Sequence, residues 1–172
     1  MKEQCKFFFQ RETQKASSMG WAVLLVLIVA WMNTSCSANF DLVRDGKAAA
    51  VIVIPEKAFN GVERAAWELQ YHVQEASGAT LAIVREHELS HNEQGRIYLG
   101  ACQAAQQAGI VTKTLTRNGF VIKTVGADLF IAGRDTEGIW IALDWIESGT
   151  LLGVYNFLDR HMDARWLWPG KL

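Results

Sequence analysis

His87-Glu88-Leu89-Ser90-His91 is the stretch whose residue types and spacing come nearest to a catalytic pattern. On an α-helix, histidines four apart share one face and can hold zinc, while the intervening glutamate activates a metal-bound water. The surroundings argue against it. Arg85, Glu86, Asn92, Glu93 and Gln94 make the region polar throughout, whereas a zinc-bearing helix is amphipathic and partly buried. Gln94 and Ile97 stand where the extended pattern has glycine and a third histidine. The preceding Leu81-Ala82-Ile83-Val84 is strand-like. The stretch is therefore expected to be a solvated loop, with a zinc peptidase on His87, Glu88 and His91 as the alternative reading.

Other chemistry-bearing residues are few. Asp135 and Glu137 could form a carboxylate pair for glycoside hydrolysis, but two residues apart on a loop they are expected to point into water. Asp159 and Asp163 read as surface groups. Trp140, Trp145, Trp166 and Trp168 could stack on sugar rings, Trp166 and Trp168 foremost; large aromatics near a domain end more often fill an interface. Cys102, near the start of a short helix, reads as a small buried hydrophobe rather than a reactive thiol. The chain has no glycine-rich phosphate loop and no Gly-x-Ser-x-Gly elbow.

Composition narrows the classes further. The 172 residues suit one domain with a leader, and half of them are hydrophobic, as in an ordinary globular protein. The formal net charge is −1 and the basic residues are scattered, which excludes a nucleic-acid-binding face. Lys2, Lys6, Arg11 and Lys15 precede an uncharged apolar run from Met19 to Met32, about fourteen residues long. That length suits an export signal and is short for a membrane span. Residues 1–38 are read as this leader. Ser35-Cys36 resembles a lipoprotein site that would acylate Cys36, although Asn33 departs from its preference for an aliphatic residue; the other reading is cleavage after Ala38. Cys102 is then the mature domain's only cysteine, so its core must hold it without an intrachain disulfide.

The elements that must position these residues follow from periodicity. Ala49–Ile54 is an apolar, β-branched run closed by Pro55, a buried strand. Asn60 reads as a helix cap, with Val62, Ala66, Leu69, Val73 and Ala76 as the inward stripe, Glu63, Arg64, Glu68, Gln70 and Gln74 outside it, and Ser77-Gly78 as the stop. Strands are expected at Thr80–Val84 and Arg96–Gly100, then a short helix from Cys102 to Ala108. Phe120–Val125 and Leu129–Ala132 form a hairpin around Gly126-Ala127-Asp128. A last helix opens at Gly149-Thr150, with Leu151, Leu152, Tyr155, Leu158 and Met162 facing inward, Val154 and Phe157 widening that face, and Gly153 permitting close approach to the sheet. Residues 134–148 leave helix and strand both open. The sum is an α/β two-layer sandwich, one mixed sheet with helices mainly on one face.

Six segments in order, Ala65-Ala66-Trp67-Glu68-Leu69, Arg96-Ile97-Tyr98-Leu99-Gly100, Gly119-Phe120-Val121-Ile122, Leu129-Phe130-Ile131-Ala132-Gly133, Gly153-Val154-Tyr155-Asn156-Phe157-Leu158 and Arg165-Trp166-Leu167-Trp168-Pro169-Gly170, carry a resemblance. From about Ala50 to Gly170, within a domain taken as residues 39–170, the chain resembles the N-terminal domain of glycoside hydrolase family 67 α-glucuronidases and the similar domain of family 20 hexosaminidases and of secreted bacterial proteins. The stretch 134–148 is longer than that family's usual link. The resemblance implies a non-catalytic accessory domain in polysaccharide (xylan) catabolism, because the family's catalytic carboxylates lie in a following (β/α)8 barrel. It therefore assigns no catalytic residue here, and the chain is expected to be inactive alone. The implied partners are such a barrel, or copies of the chain, met through the C-terminal aromatic strand, and polysaccharide. No cofactor is expected, and a membrane is met only through the leader or a lipid anchor. The expected location is exported: periplasmic, outer-membrane lipoprotein or extracellular. A stand-alone carbohydrate-binding lipoprotein is a further alternative.

Overall fold

A computed structural model describes residues 40–90, 95–137, 146–162 and 164. The chain divides into two units, Met1–Ser37 and Ala38–Leu172, and every described residue belongs to the second. That unit is a mixed α/β structure. Its strands are β1 (Val43–Arg44), β2 (Lys47–Ala48), β3 (Val51–Ile54), β4 (Ile83–Arg85), β5 (Arg96–Leu99), β6 (Phe120–Val125) and β7 (Asp128–Gly133). Its helices are α1 (Asn60–Ser77), α2 (Gln103–Gln107) and α3 (Gly149–Met162), with single 3₁₀ turns at Glu86–Glu88 and Thr112–Thr114.

Five strands form one sheet in the order β4-β3-β5-β7-β6. β3 pairs in parallel with both β4 and β5, β5 pairs in parallel with β7, and β6 closes the edge antiparallel to β7. All four residues of β3 are buried, which is why it reads as an unbroken apolar run: a parallel strand covered on both faces alternates apolar with apolar. Ile52, Ile54, Ile97, Leu99, Leu129 and Ile131 face α1 and α3. Val51, Val53, Tyr98, Phe130 and Ala132 face the opposite side, covered by Cys102, Ala105 and Ile110 around the short α2. The two long helices thus share one face, as the periodicity implies.

Several local expectations shift. β1 and β2 form a hairpin through Asp45 and Gly46, both at positive φ, a turn that the Asp-Gly pair announces. Strand β4 begins at Ile83 rather than Thr80: the Ile52 N–H of β3 donates to the Ala82 carbonyl at 2.8 Å, while one residue earlier the Leu81 carbonyl accepts from Gln70 Nε2 at 2.7 Å. The helix cap is Phe59, with Asn60 already helical, and Ala76 is exposed. Glu68, placed outside by pattern, is buried between α1 and α3. On α3 the inward face is Leu151, Val154, Phe157 and Leu158, and Leu152 stands in solvent.

α3 sits unusually close to the sheet. A Cβ at Gly153 would lie 2.8 Å from Ile131 Cγ2. The approach is closer still at the helix start, where a Cβ at Gly133 would meet the Gly149 carbonyl carbon at 2.1 Å and one at Gly149 would meet the Gly119 oxygen at 2.4 Å. No helix among the described residues is long and apolar enough to cross a membrane.

Candidate functional site

The parallel strands β3, β4, β5 and β7 all end on one rim, and the N-termini of the three helices follow from it. Open α/β sheets commonly hold ligands there, at the point where successive connections leave on opposite faces. That point lies between β3, which leads into α1, and β5, which leads into α2. It is filled here. Gly100 has φ +76°, and a Cβ there would sit 3.0 Å and 3.1 Å from the two Val62 methyls, with Pro55 next. At this point the described residues Gly100, Val62 and Pro55 pack closely together.

The acids of this rim are bound to the architecture. Glu86 accepts from the backbone N–H groups of Gln103 at 2.9 Å and Ala104 at 2.8 Å, so one carboxylate closes the start of α2. Glu88 Oε2 accepts from the Arg85 backbone N–H at 2.9 Å. Arg85 donates to the Pro55 carbonyl at 3.1 Å and to Glu63 Oε1 at 2.8 Å, tying β4 to the segment entering α1. His87 Nδ1 is paired with Glu56 Oε2, and both side chains are exposed. The residues of the zinc motif are therefore placed as follows. His87 and Glu88 lie on one 3₁₀ turn that ends at an extended Leu89 (φ −62°, ψ 121°), so no α-helix carries the i, i+4 spacing from His87 onward. His91 lies outside the described residues. Among the described residues, no three His, Cys, Asp or Glu side chains converge on a metal position.

Asp135 is half-buried and tied to the start of α3. Thr150 donates to it twice, from its backbone N–H to Oδ1 at 2.9 Å and from its hydroxyl to Oδ2 at 2.5 Å. The same hydroxyl accepts from the Gly133 N–H at 2.9 Å. Burial raises the Asp135 carboxyl above its ordinary value, against the lowering effect of the two Thr150 bonds, with nearby Glu147 adding to the rise. Glu147 Oε2 lies 2.6 Å from Arg134 Nε, an ion pair whose angle falls short of a hydrogen bond. Glu137 is exposed, as expected, whereas Asp135 is held by Thr150. Asp159 is exposed, as expected, and Asp163 lies outside the described residues.

Cys102 is fully buried at the start of α2, and its thiol donates to the Leu99 carbonyl at 3.3 Å. Burial pushes its pKa far up, which keeps it a thiol and suppresses nucleophilic reactivity. The core reading of Cys102 is thereby supported by geometry.

A second candidate lies at the opposite end of the helical face. A groove of about 660 Å³ runs between Phe40–Val43, the ends of α1 and α3, and Ile122, Thr124 and Leu129 of the sheet. The size is in the range of small-molecule sites. Its polar groups are engaged locally: Asp41 pairs with Arg44 at 2.6 Å, Ser77 donates to the Val73 carbonyl at 2.6 Å, and the His161 ring packs on Phe157 with 4.7 Å between centroids. No convergent constellation for acid–base or nucleophilic chemistry results.

Sequence reasoning missed two groups. Glu68 is held between Arg64 at 2.6 Å and the Tyr155 hydroxyl, which donates to it at 3.2 Å across the helix pair. Trp67 and Tyr71 stack on the outer side of α1. A helical wheel centred on exposed positions signals Trp67 and Tyr71; nothing local signals the Glu68–Tyr155 or Asp135–Thr150 partners, which are 87 and 15 residues apart. Cys36, Trp140, Trp145, Trp166 and Trp168 lie outside the described residues. A scan against protein-family models and a search of curated proteins found no match to this chain.

Proposed function

We propose that the chain is an exported, non-catalytic accessory domain of a carbohydrate-active glycoside hydrolase system, α-glucuronidase-like in kind. One observation supports the reading most. Five of the six resembling segments fall on the framework that defines the architecture: Ala65–Leu69 on the inner helix, Arg96–Leu99 as a central parallel strand, Phe120–Ile122 and Leu129–Gly133 as the closing hairpin, and Gly153–Leu158 where α3 meets the sheet. Four of the described carboxylates add to it, since Glu68, Glu86, Glu88 and Asp135 serve as structural acceptors. The resembling fold type is part of the proposal, as are polysaccharide, a barrel partner and export through residues 1–38.

The test has two arms. The purified chain is expected to give no turnover of glucuronosyl xylo-oligosaccharides or chito-oligosaccharides. Mixed with an α-glucuronidase barrel stripped of its own N-terminal domain, it is expected to raise the barrel's melting temperature. Hydrolysis by the chain alone at enzymatic speed ends the proposal, and so does a barrel indifferent to its presence. Export is checked separately by fractionating cells that express the full chain and reading its N-terminus by mass spectrometry: it should leave the cytoplasm and begin at acylated Cys36 or at Asn39, and a chain confined to the cytoplasm refutes it.

A further inference from the structure

The outer side of α1 carries an ordered aromatic column. Arg64, Trp67, Tyr71 and Glu75 recur at spacings of three, four and four, which places them along one stripe of a helix turning about 100° per residue. Trp67 and Tyr71 are 45% and 43% exposed, large values for side chains of this size on a helix whose inner face is fully buried. They are held in place. The Arg64 guanidinium lies 4.2 Å from the Trp67 ring centroid, and the Trp67 and Tyr71 rings stack at 5.3 Å and 10°. Arg64 is anchored by Glu68, and Glu68 by Tyr155 of α3. The rotamers are fixed in advance, so an interface formed here loses little side-chain entropy. Trp, Tyr and Arg are also the residue types that dominate interface energetics.

The stacking discriminates between occupants. A sugar ring lies on the flat face of an aromatic, but the Trp67 ring already has the Arg64 guanidinium over it and the Tyr71 ring stacked on it. Tyr71 also meets the His72 ring edge-on at 5.3 Å, and the ring surface left exposed suits packing against protein side chains and other rings. The charges on the stripe specify which protein. Arg64 stands toward one end and the exposed Glu75 toward the other, symmetric about the Leu69–Gln70 midpoint, with Trp67 and Tyr71 between them. Trp67 and Tyr71 are symmetric about Leu69, half a residue or about 0.8 Å away, so antiparallel crossing of two such helices there brings Arg64 toward Glu75 of the partner subunit and Trp67 beside Tyr71 of the partner subunit. The face is complementary to itself under a two-fold axis, the requirement for an isologous dimer.

We propose that the Arg64–Trp67–Tyr71–Glu75 face of α1 is the interface of a two-fold dimer of this chain. This face is built from other residues than Trp166 and Trp168, and it does not depend on the function proposed above. Sedimentation velocity of the purified full-length chain over a concentration series tests it. A reversible monomer–dimer equilibrium is expected. Glu75→Arg, which sets like charges against each other at both ends of the crossing, should weaken it about tenfold. Tyr71→Ala should weaken it further. Both positions are exposed, so unchanged melting temperatures show that the fold is intact. A chain monomeric at every concentration overturns the proposal, as does self-association that neither substitution alters. An oligosaccharide that binds the wild type and not a Trp67→Ala variant assigns the face to sugar and overturns it too.

Discussion

Asp135 is a half-buried carboxyl group set against a helix start, so its protonation is linked to folding. Its folded-state affinity for a proton exceeds that of the unfolded chain, whose carboxyl titrates near the ordinary 3.8. The linked stability is therefore complete below that value and is lost as pH rises through the raised folded value. Asp135→Asn cannot titrate. Denaturant unfolding of both proteins across this interval should show the difference moving against the wild type as pH rises; parallel pH profiles would refute the assignment. Cys102 gives a second expectation: it should resist alkylation in the native protein and react on unfolding, read by mass spectrometry of that site. The burial of Cys102 was legible from its type and neighbours. The fate of Asp135 was not, because its partner Thr150 is supplied by the tertiary fold and no local pattern encodes it.

The contact between β7 and α3 shows how an element is positioned by what it lacks. Gly133 and Gly149 meet backbone to backbone, and neither neighbour can rotate away. Gly133→Ala or Gly149→Ala should each cost more than about 3 kcal/mol in equilibrium unfolding. Gly153→Ala meets the Ile131 and Phe120 side chains instead, which can shift, so its cost should be about 1–3 kcal/mol. Equal costs at all three positions would contradict this account. Apolar periodicity located β3, α1, β5 and the β6–β7 hairpin, because these elements bury one regular stripe or an unbroken run. It misplaced Leu152 and Glu68 for the same physical reason. Both lie at the edge of a stripe, where one helix step decides between core and solvent, and the neighbouring helix makes that choice.

For the whole molecule, the strand order β4-β3-β5-β7-β6 puts residues far apart in the chain side by side at its centre. Hydrogen exchange should protect β3, β5 and β7 longest, with β4 and the outer amides of β6 exchanging earlier. A β6 more protected than β5 would contradict the order. The helices' common face was legible, since two amphipathic stripes need one sheet face. Strand order was not, because parallel pairing leaves no local mark in the sequence. The feet of the stretch 134–148 carry a practical consequence. Asp135 bridges Ser148, the Thr136 N–H donates to the Glu147 carbonyl at 3.0 Å, and the Gly149 N–H donates to Arg134 at 3.0 Å. The two strands of chain are spliced at their base, so whatever is spliced between them is closed before it begins. Doubling such a length costs only about 0.6 kcal/mol. A reporter peptide grafted between Glu137 and Ile146 should leave the domain standing, which makes this the natural place to attach a handle.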